Sequence, residues 1–249
     1  GRFSLPIASP RPPEAQEATA VVHRDRDVGL WSAEIEQWLK TLAPPPSHCV
    51  VAAVDPSVAK TLVDGLLSRR FESIVRLEPG NVPMATRLER PEQVGVDRLI
   101  NAVAARKLID HKRLLLVIDA GTAITVDLTA ADGVFEGGAI LPGAHTSAGA
   151  LYQSTARLPR IDVEQLRDPP SVGRSTEAAI AAGIYWGTVG AIRQVVEHIS
   201  HSLSEKPATL LTGGDGPWLA EPLSAYLPEL RLVEHLTLGG ISVIASSCR

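Results

Sequence analysis

Short apolar runs along the chain alternate with longer stretches in which apolar residues recur every three or four positions. The first pattern is typical of buried strands and the second of amphipathic helices. In the first half, strands are predicted at 18–23, 48–54 and 73–77, and helices at 31–42, 57–67 and 91–109. This alternation of strands and helices indicates an α/β fold with a largely parallel sheet.

The second half opens with three strands in succession. Strands are predicted at 114–119, 124–128, 134–141, 208–212 and 230–233, and helices at 146–156, 176–203, 218–226 and 238–245. Asp132-Gly133 is a hairpin signal between the second and third of these strands. Gly183, Gly187 and Gly190 weaken the case for one straight helix at 176–203, and their spacing suggests close helix packing instead.

The two halves differ at their starts when they are aligned as a pseudo-repeat. The second half opens with a β-hairpin, and the first half has no counterpart of it. We therefore predict two similar α/β domains, at residues 1–112 and 113–249, of which the first is N-terminally incomplete.

Composition and charge narrow the class of protein. The 249 residues are 45% hydrophobic and 21% charged, which is the balance of a globular protein. A net charge of −4 disfavours binding to nucleic acid, and no apolar run approaches the ~18 residues of a membrane-spanning helix. The two cysteines, Cys49 and Cys248, exclude a disulfide framework and predict a reducing, cytoplasmic location.

The stretch from Asp119 to Asp127 (DAGTAITVD) is the strongest candidate for chemistry. Gly121 lacks a Cβ, so backbone N–H groups beside it can approach a phosphate closely, and Thr122 and Thr125 can donate hydroxyl hydrogen bonds. Asp119 would repel a phosphate and would therefore have to act through a cation. The alternative is a plain hairpin with a polar tip.

The tetrapeptide Thr212-Gly-Gly-Asp215 follows a predicted strand and precedes a predicted helix. Ligands of open α/β sheets bind beyond the carboxyl ends of the strands, so this turn could hold a nucleoside through backbone contacts. The alternative is an ordinary helix start with Asp215 as the N-cap. Tyr185 and Trp186 are interpreted as packing residues.

Two further polar segments precede predicted helices. In Gly95-Val-Asp-Arg98, the Asp97 carboxylate could accept a proton from a substrate hydroxyl, and Arg98 could bind an anion. A surface Asp–Arg pair is the alternative. Ser175 or Thr176 is expected to cap the long helix that follows, where bare N–H groups also favour an anion.

These motifs together resemble type III pantothenate kinases, the first enzymes of coenzyme A synthesis in many bacteria. The resemblance runs from about Val50 to the C-terminus and is carried by several spaced motifs in the family's order. The matching stretches are Pro91–Arg98 (PEQVGVDR), Val117–Asp127 (VIDAGTAITVD), Phe135–Gly143 (FEGGAILPG), Ala156–Pro159 (ARLP), Gly173–Thr176 (GRST), Thr212–Gly214 (TGG) and Leu236–Gly240 (LTLGG).

The resemblance implies a fold and a reaction. The fold would be that of actin and the sugar kinases, with two similar ribonuclease-H-like domains, and the reaction would be ATP-dependent phosphorylation of pantothenate to 4'-phosphopantothenate. Asp97 would be the general base. Pantothenate would be bound by the stretch Gly95, Val96, Asp97 and Arg98, and by Thr176, which would reach it across a homodimer interface.

The resemblance also implies the ions and the nucleotide contacts. Thr122 and Gly121 would bind ATP, and Asp119 would bind a monovalent cation, either K⁺ or NH₄⁺. Mg²⁺ would accompany the nucleotide. The partners expected are pantothenate and a second copy of the chain, with no nucleic acid and no membrane.

The chain departs from the family pattern in two places. The family's opening D-x-G-N hairpin does not occur in residues 1–30, and Leu88 stands where many members have a tyrosine that contacts pantothenate. An alternative function is therefore kept: a non-catalytic relative that acts as a transcription accessory factor or as a scaffold. The acidic net charge argues against DNA contact, and the presence of Asp97 and Asp119 argues against lost catalysis.

Overall fold

The computed structural model describes residues 28–42, 47–65, 70–110, 112–163 and 168–247. The chain divides into two compact units. Unit 1 comprises residues 1–84, 89–108 and 237–249, and unit 2 comprises residues 85–88 and 109–236. The strand predicted at 18–23 lies outside the described residues.

The helices and strands follow the predicted order closely. The helices are α1 (Val28–Thr41), α2 (Pro56–Gly65), α3 (Val96–Leu108), α4 (Ala144–Ser154), α5 (Thr176–His201), α6 (Gly216–Ser224) and α7 (Leu236–Ser247). The strands are β1 (His48–Ala52), β2 (Ser73–Leu77), β3 (Leu115–Ala120), β4 (Ala123–Thr129), β5 (Phe135–Pro142), β6 (Ala208–Thr212) and β7 (Arg231–Leu232). Short 3₁₀ turns lie at Pro79–Asn81 and Pro91–Gln93.

Unit 1 contains a parallel pair of strands covered by helices. Strands β1 and β2 pair in parallel, with His48 opposite Ser73 and Ala52 opposite Leu77. Leu39, Leu42 and Val51 form a buried cluster between α1 and this pair. The predicted βαβ pattern of the first half is therefore confirmed over the residues that the structure describes.

Helix α7 packs closely on α3 within unit 1. A Cβ at Gly240 would lie 2.4 Å from the backbone oxygen of Ile100, so only glycine permits this approach. The Thr237 hydroxyl donates a hydrogen bond to Asn101 Oδ1 at 2.7 Å. Residues 237–249 fall in unit 1, although the sequence pattern predicts one domain over residues 113–249.

Unit 2 is built on a five-stranded sheet in the order β5-β4-β3-β6-β7. Strands β3, β4 and β5 form an antiparallel meander, and β6 and β7 run parallel to β3. Three antiparallel strands followed by two parallel ones give the strand arrangement expected of a ribonuclease-H-like domain. The core of the sheet is fully buried at Leu116, Ile118 and Leu211, where β3 and β6 lie side by side.

Helix α5 runs unbroken for 26 residues through all three of its glycines. Ile184, Val189 and Ile192 bury one face of it against the sheet of unit 2. A Cβ at Gly183, Gly187 or Gly190 would meet no atom within 4 Å in the part of the chain that the structure describes. The predicted close packing at these glycines is therefore not found among the residues that the structure describes.

The segment 85–88 belongs to unit 2 and attaches beside β5. Phe135 N–H donates to Ala85 O at 2.8 Å, and Arg87 N–H donates to Phe135 O at 2.9 Å. The Arg87 guanidinium pairs with Asp132 and Glu136.

No helix among the described residues is both long enough and apolar enough to cross a membrane.

Candidate active site

The β3–β4 turn carries the residues with the strongest sequence signal. Asp119 lies one residue before the end of β3, and Gly121 and Thr122 form the turn. Gly121 N–H donates to Ala123 O at 3.0 Å, so this N–H is already used within the turn. Thr122 is exposed and remains the better placed of the two to contact a phosphate.

The loop between β5 and α4 holds this turn from one side. Gly143 N–H and the Thr146 hydroxyl both donate to Thr122 O, at 3.1 and 2.5 Å. A Cβ at Gly143 would lie 1.9 Å from Gly121 O, so a side chain cannot be accommodated there. Gly143 lies within a matching motif, but the sequence does not reveal this contact, because its partner Gly121 is 22 residues away.

The Thr212–Asp215 turn holds the end of β3 from the other side. Gly213 adopts a φ of +93°, and a Cβ on it would lie 2.2 Å from Ala120 O and 2.6 Å from Asp119 Oδ1. Asp215 N–H donates to Ala120 O at 2.9 Å. Two motifs that the sequence predicted separately are therefore in direct contact in unit 2.

One cavity of about 720 Å³ is bordered by both of these turns. Its lining consists of Gly121, Thr122, His145, Val163, Asp168, Tyr185, Gly214, Asp215, Pro217, Trp218 and Glu221. The rings of Tyr185 and Trp218 lie 5.4 Å apart and are tilted by 30° to each other. Tyr185 is buried as predicted, and it also forms part of this wall.

Asp215 is found at the N-cap position of α6, as one of the two alternatives predicted, but it does not cap the helix with its side chain. Pro217 lies in the first turn of the helix and has no N–H to offer a cap. Burial raises the pKa of the Asp215 carboxyl above its usual value, although a hydrogen bond from Trp218 and the charge of His145 act in the opposite direction.

Asp119 has threonines beside it on both neighbouring strands. In the register of the sheet, Asp119 is paired with Thr125 of β4 and with Thr212 of β6. Thr125 Oγ1 is buried and has no hydrogen-bond partner among the described residues. Side chains of paired residues lie on the same face of a sheet, so a carboxylate and hydroxyl oxygens converge here. Such hard oxygen donors suit K⁺ or Mg²⁺.

Among the described residues, no three His, Cys, Asp or Glu side chains group closely enough to hold a metal ion. A cation at Asp119 would therefore take its remaining ligands from hydroxyl groups, backbone oxygens, water or a bound phosphate. The unpartnered Thr125 hydroxyl fits this donor set.

In unit 1, the Gly95–Arg98 motif forms the start of α3. Asp97 Oδ1 accepts a hydrogen bond from Arg98 N–H at 2.9 Å, so the carboxylate is folded back onto the first turn. A Cβ at Gly95 would lie 2.5 Å from this oxygen, so a side chain there would displace the Asp97 carboxylate. Val96 is only 3% exposed, so it could contact a substrate through its backbone alone.

Thr176 is the exposed first residue of α5 in unit 2. Ser175, and not Thr176, is the N-cap, because its side chain accepts a hydrogen bond from Ala178 N–H at 3.1 Å. Thr176 lies at the border of an apolar groove of about 760 Å³ that α4 and α5 line with Leu151, Ala179, Gly183 and Gly187.

The structure and its glycine turns define an α/β protein with a mixed five-stranded sheet and a cavity beside the turn that follows β3. A solved structure described as a conserved putative Baf family transcriptional activator from Campylobacter jejuni matches with a TM-score of 0.56 and 20% identity. The match covers 86% of this chain and 88% of that one. The predicted fold class is confirmed.

Sequence comparison then identifies the family. The family model for type III pantothenate kinases matches residues 14–198, and the chain belongs to that family. A type III pantothenate kinase from Paramagnetospirillum magneticum is 42% identical over 178 residues, which are 69% of this chain and 67% of that protein. One from Anaeromyxobacter sp. is 38% identical over 80% of this chain and 76% of its own length.

The matches do not span the whole length of these relatives. A type III pantothenate kinase from Maricaulis maris is 38% identical over 67% of this chain, but only 63% of its own length is covered. The predicted resemblance is confirmed, and the activity of the chain is taken up below as a proposal.

Proposed function

We propose that this protein phosphorylates pantothenate with ATP to give 4'-phosphopantothenate, the first step of coenzyme A biosynthesis. Family membership supports the reaction. The observation that carries the proposal for this chain is the cavity of unit 2, because the Gly121-Thr122 turn and the Gly214-Asp215 turn both border it. A glycine turn at the end of a buried strand is suited to the phosphates of a nucleotide.

Thr122 is the residue we assign to the ATP phosphates. It is exposed at the tip of the turn, and its backbone oxygen is fixed by Gly143 and Thr146. A donor that is held in place before the ligand arrives loses little entropy when it binds. Gly121 contributes to phosphate binding by allowing a tight backbone turn at this position. Its own N–H stays hydrogen-bonded to Ala123 O.

Asp97 is assigned as the general base. Its carboxylate would accept the proton of the primary hydroxyl of pantothenate while that oxygen attacks the γ-phosphorus, and the bond from phosphorus to the ADP oxygen breaks. The hydrogen bond from Arg98 N–H orients the carboxylate. Arg98 and the backbone of Gly95 and Val96 are assigned to pantothenate binding.

Asp119 is assigned to a monovalent cation, K⁺ or NH₄⁺, with the hydroxyl of Thr125 as a further ligand. When bound, this cation and a nucleotide-associated Mg²⁺ would offset the negative charge of the phosphates. Without a cation, the Asp119 carboxylate beside the turn would oppose phosphate binding.

The chain is proposed to form a homodimer in which the groove between α4 and α5 is the interface. Exposed apolar surface of this kind is typical of an interaction site, and the exposed glycines of α5 would allow a second copy to approach closely. Thr176 at the border of the groove would then contact the pantothenate of the partner subunit. The cytoplasmic location stays a prediction.

The first experiment compares Asp97→Asn with the unchanged full-length protein. We expect turnover, measured as ADP release with ATP, Mg²⁺, K⁺ and pantothenate, to fall at least 100-fold, because general-base catalysis contributes about 10²–10⁴-fold. Binding of ATP, measured by calorimetry, should stay within about twofold. Asp64→Asn, an exposed carboxylate on α2, is the matched control and should retain full turnover.

Equal loss of turnover and ATP binding in Asp97→Asn would contradict its role as the base. If the unchanged protein binds ATP and dimerises but releases no ADP in response to pantothenate, the non-catalytic scaffold or accessory factor becomes the better interpretation.

A further inference from the structure

Asp215 lines the unit 2 cavity, and one oxygen of its buried carboxyl has no hydrogen-bond partner among the described residues. Asp215 is 9% exposed, and its Oδ2 is buried with no hydrogen-bond partner in the part of the chain that the structure describes. Nearly all buried polar groups in folded proteins have a partner, so an orphaned carboxylate oxygen needs an explanation.

Local structure does not supply that explanation. The carboxylate does not cap α6, although Asp215 stands at the N-cap position. The Trp218 side chain and the charge of His145 both act on this carboxyl, and both residues line the cavity. Neither gives Oδ2 a hydrogen-bond partner.

The chemistry of a carboxylate limits what it could bind in this cavity. An ionised carboxylate only accepts hydrogen bonds and repels a phosphate. The phosphates of a nucleotide are assigned to the Gly121-Thr122 end, so the partner of Asp215 must be a neutral donor elsewhere on the ligand. On a nucleotide, such donors are the ribose hydroxyls and the exocyclic amine of the base.

We infer that Asp215 is a nucleoside-recognition residue, whose Oδ2 accepts a hydrogen bond from an O–H or N–H donor on the nucleoside part of the bound nucleotide. This inference rests on the proposed function, because it takes the cavity to be the nucleotide site. The aromatic wall formed by Tyr185 and Trp218 suits the same ligand, since bases stack on aromatic side chains.

Asp215→Asn tests the inference, because it keeps the shape of the side chain, removes the charge and replaces one of the two acceptor oxygens with an N–H donor. We expect the dissociation constant for ADP, measured by calorimetry, to rise about tenfold or more. The melting temperature of the ligand-free variant should be equal or higher, since a desolvated carboxylate has been removed. Asp132→Asn, an exposed carboxylate at the β4–β5 turn, is the control and should bind ADP normally.

Nucleotide analogues identify the donor. The unchanged protein should bind either 2'-deoxy-ADP, 3'-deoxy-ADP or inosine diphosphate about tenfold more weakly than ADP, and Asp215→Asn should not distinguish that analogue from ADP. Weaker binding of a deoxy analogue identifies a ribose hydroxyl as the donor. Weaker binding of inosine diphosphate identifies the exocyclic amine as the donor. A side chain with a purely structural role would not change this discrimination.

Three outcomes would overturn the inference. One is unchanged ADP affinity in Asp215→Asn. Another is a lower melting temperature of Asp215→Asn together with an equal loss of affinity for every analogue, which indicates a structural role. The last is a loss that occurs only with Mg²⁺ present, which indicates a cation ligand. If the unchanged protein binds no ADP, the proposed function itself fails.

Discussion

Gly213 and Gly214 are adjacent in sequence, yet a side chain would have opposite consequences at the two positions. Gly213 has a φ of +93°, and a Cβ there would collide with the backbone of Ala120. At Gly214, a Cβ would meet no atom of the described residues within 4 Å. The sequence predicted a glycine turn here, but only the contact with β3 distinguishes the two glycines.

We therefore predict that Gly213→Ala lowers the free energy of unfolding by more than about 1 kcal/mol, which is the cost of a strained backbone position. Gly214→Ala is the matched control and should change it by less than about 0.5 kcal/mol. Urea unfolding followed by circular dichroism measures both values. Equal effects in the two variants would show that the turn can move away from Ala120.

The assignment of Asp119 predicts a preference among monovalent cations. Turnover should be faster in potassium or ammonium chloride than in sodium chloride, and Asp119→Asn should abolish the difference. Thr125→Val, which removes the unpartnered hydroxyl, should raise the potassium concentration needed for half-maximal turnover. Steady-state rates against cation concentration measure both effects. No cation preference in the unchanged protein would contradict the role given to Asp119.

Among the secondary-structure elements, the pattern of apolar residues is enough to predict the strands that are buried on both faces. The apolar run that predicted β3 is buried from Leu115 to Ile118, and β6 is buried throughout. The boundaries of β2 and β6 match the prediction because glutamates flank β2, and a proline and a glycine flank β6. The β7 strand is shorter than predicted, since it pairs only at Arg231 and Leu232 at the edge of the sheet.

Helix α5 shows that helix propensity alone is a poor predictor of where a helix is interrupted. Each glycine costs a helix about 1 kcal/mol relative to alanine. The helix nevertheless continues, because its apolar face is buried in the core of unit 2 at Ile184, Val189 and Ile192. Tertiary packing, which the local sequence does not report, thus outweighs the glycines.

The oligomeric state is a property of the whole molecule, and the α5 glycines provide a test of it. Gly187→Gln should improve the helix propensity of the chain, because glutamine is a better helix former than glycine. If a second copy packs against the groove, the same change should raise the dimer dissociation constant at least tenfold. Sedimentation velocity over a range of protein concentrations measures this shift.

Gly190→Gln is the matched control for that experiment. Gly190 is exposed on the same helix and meets no neighbour, but it does not line the groove. The Gly190→Gln variant should therefore leave the dimer intact. A protein that is monomeric at every concentration, or equal dissociation in both variants, would contradict the proposed interface.

The order of the elements, the α/β class and the family can be predicted from the sequence, because these depend on local periodicity and on spaced motifs. Residue types in those motifs also point to Asp97, Asp119, Gly121, Thr122 and Thr176. The contact between the Thr212–Asp215 turn and the end of β3 is visible only in the fold, since this parallel pairing joins segments about 90 residues apart. For the same reason, only the fold could show Asp215 as a buried acid in the cavity wall, because burial depends on distant neighbours.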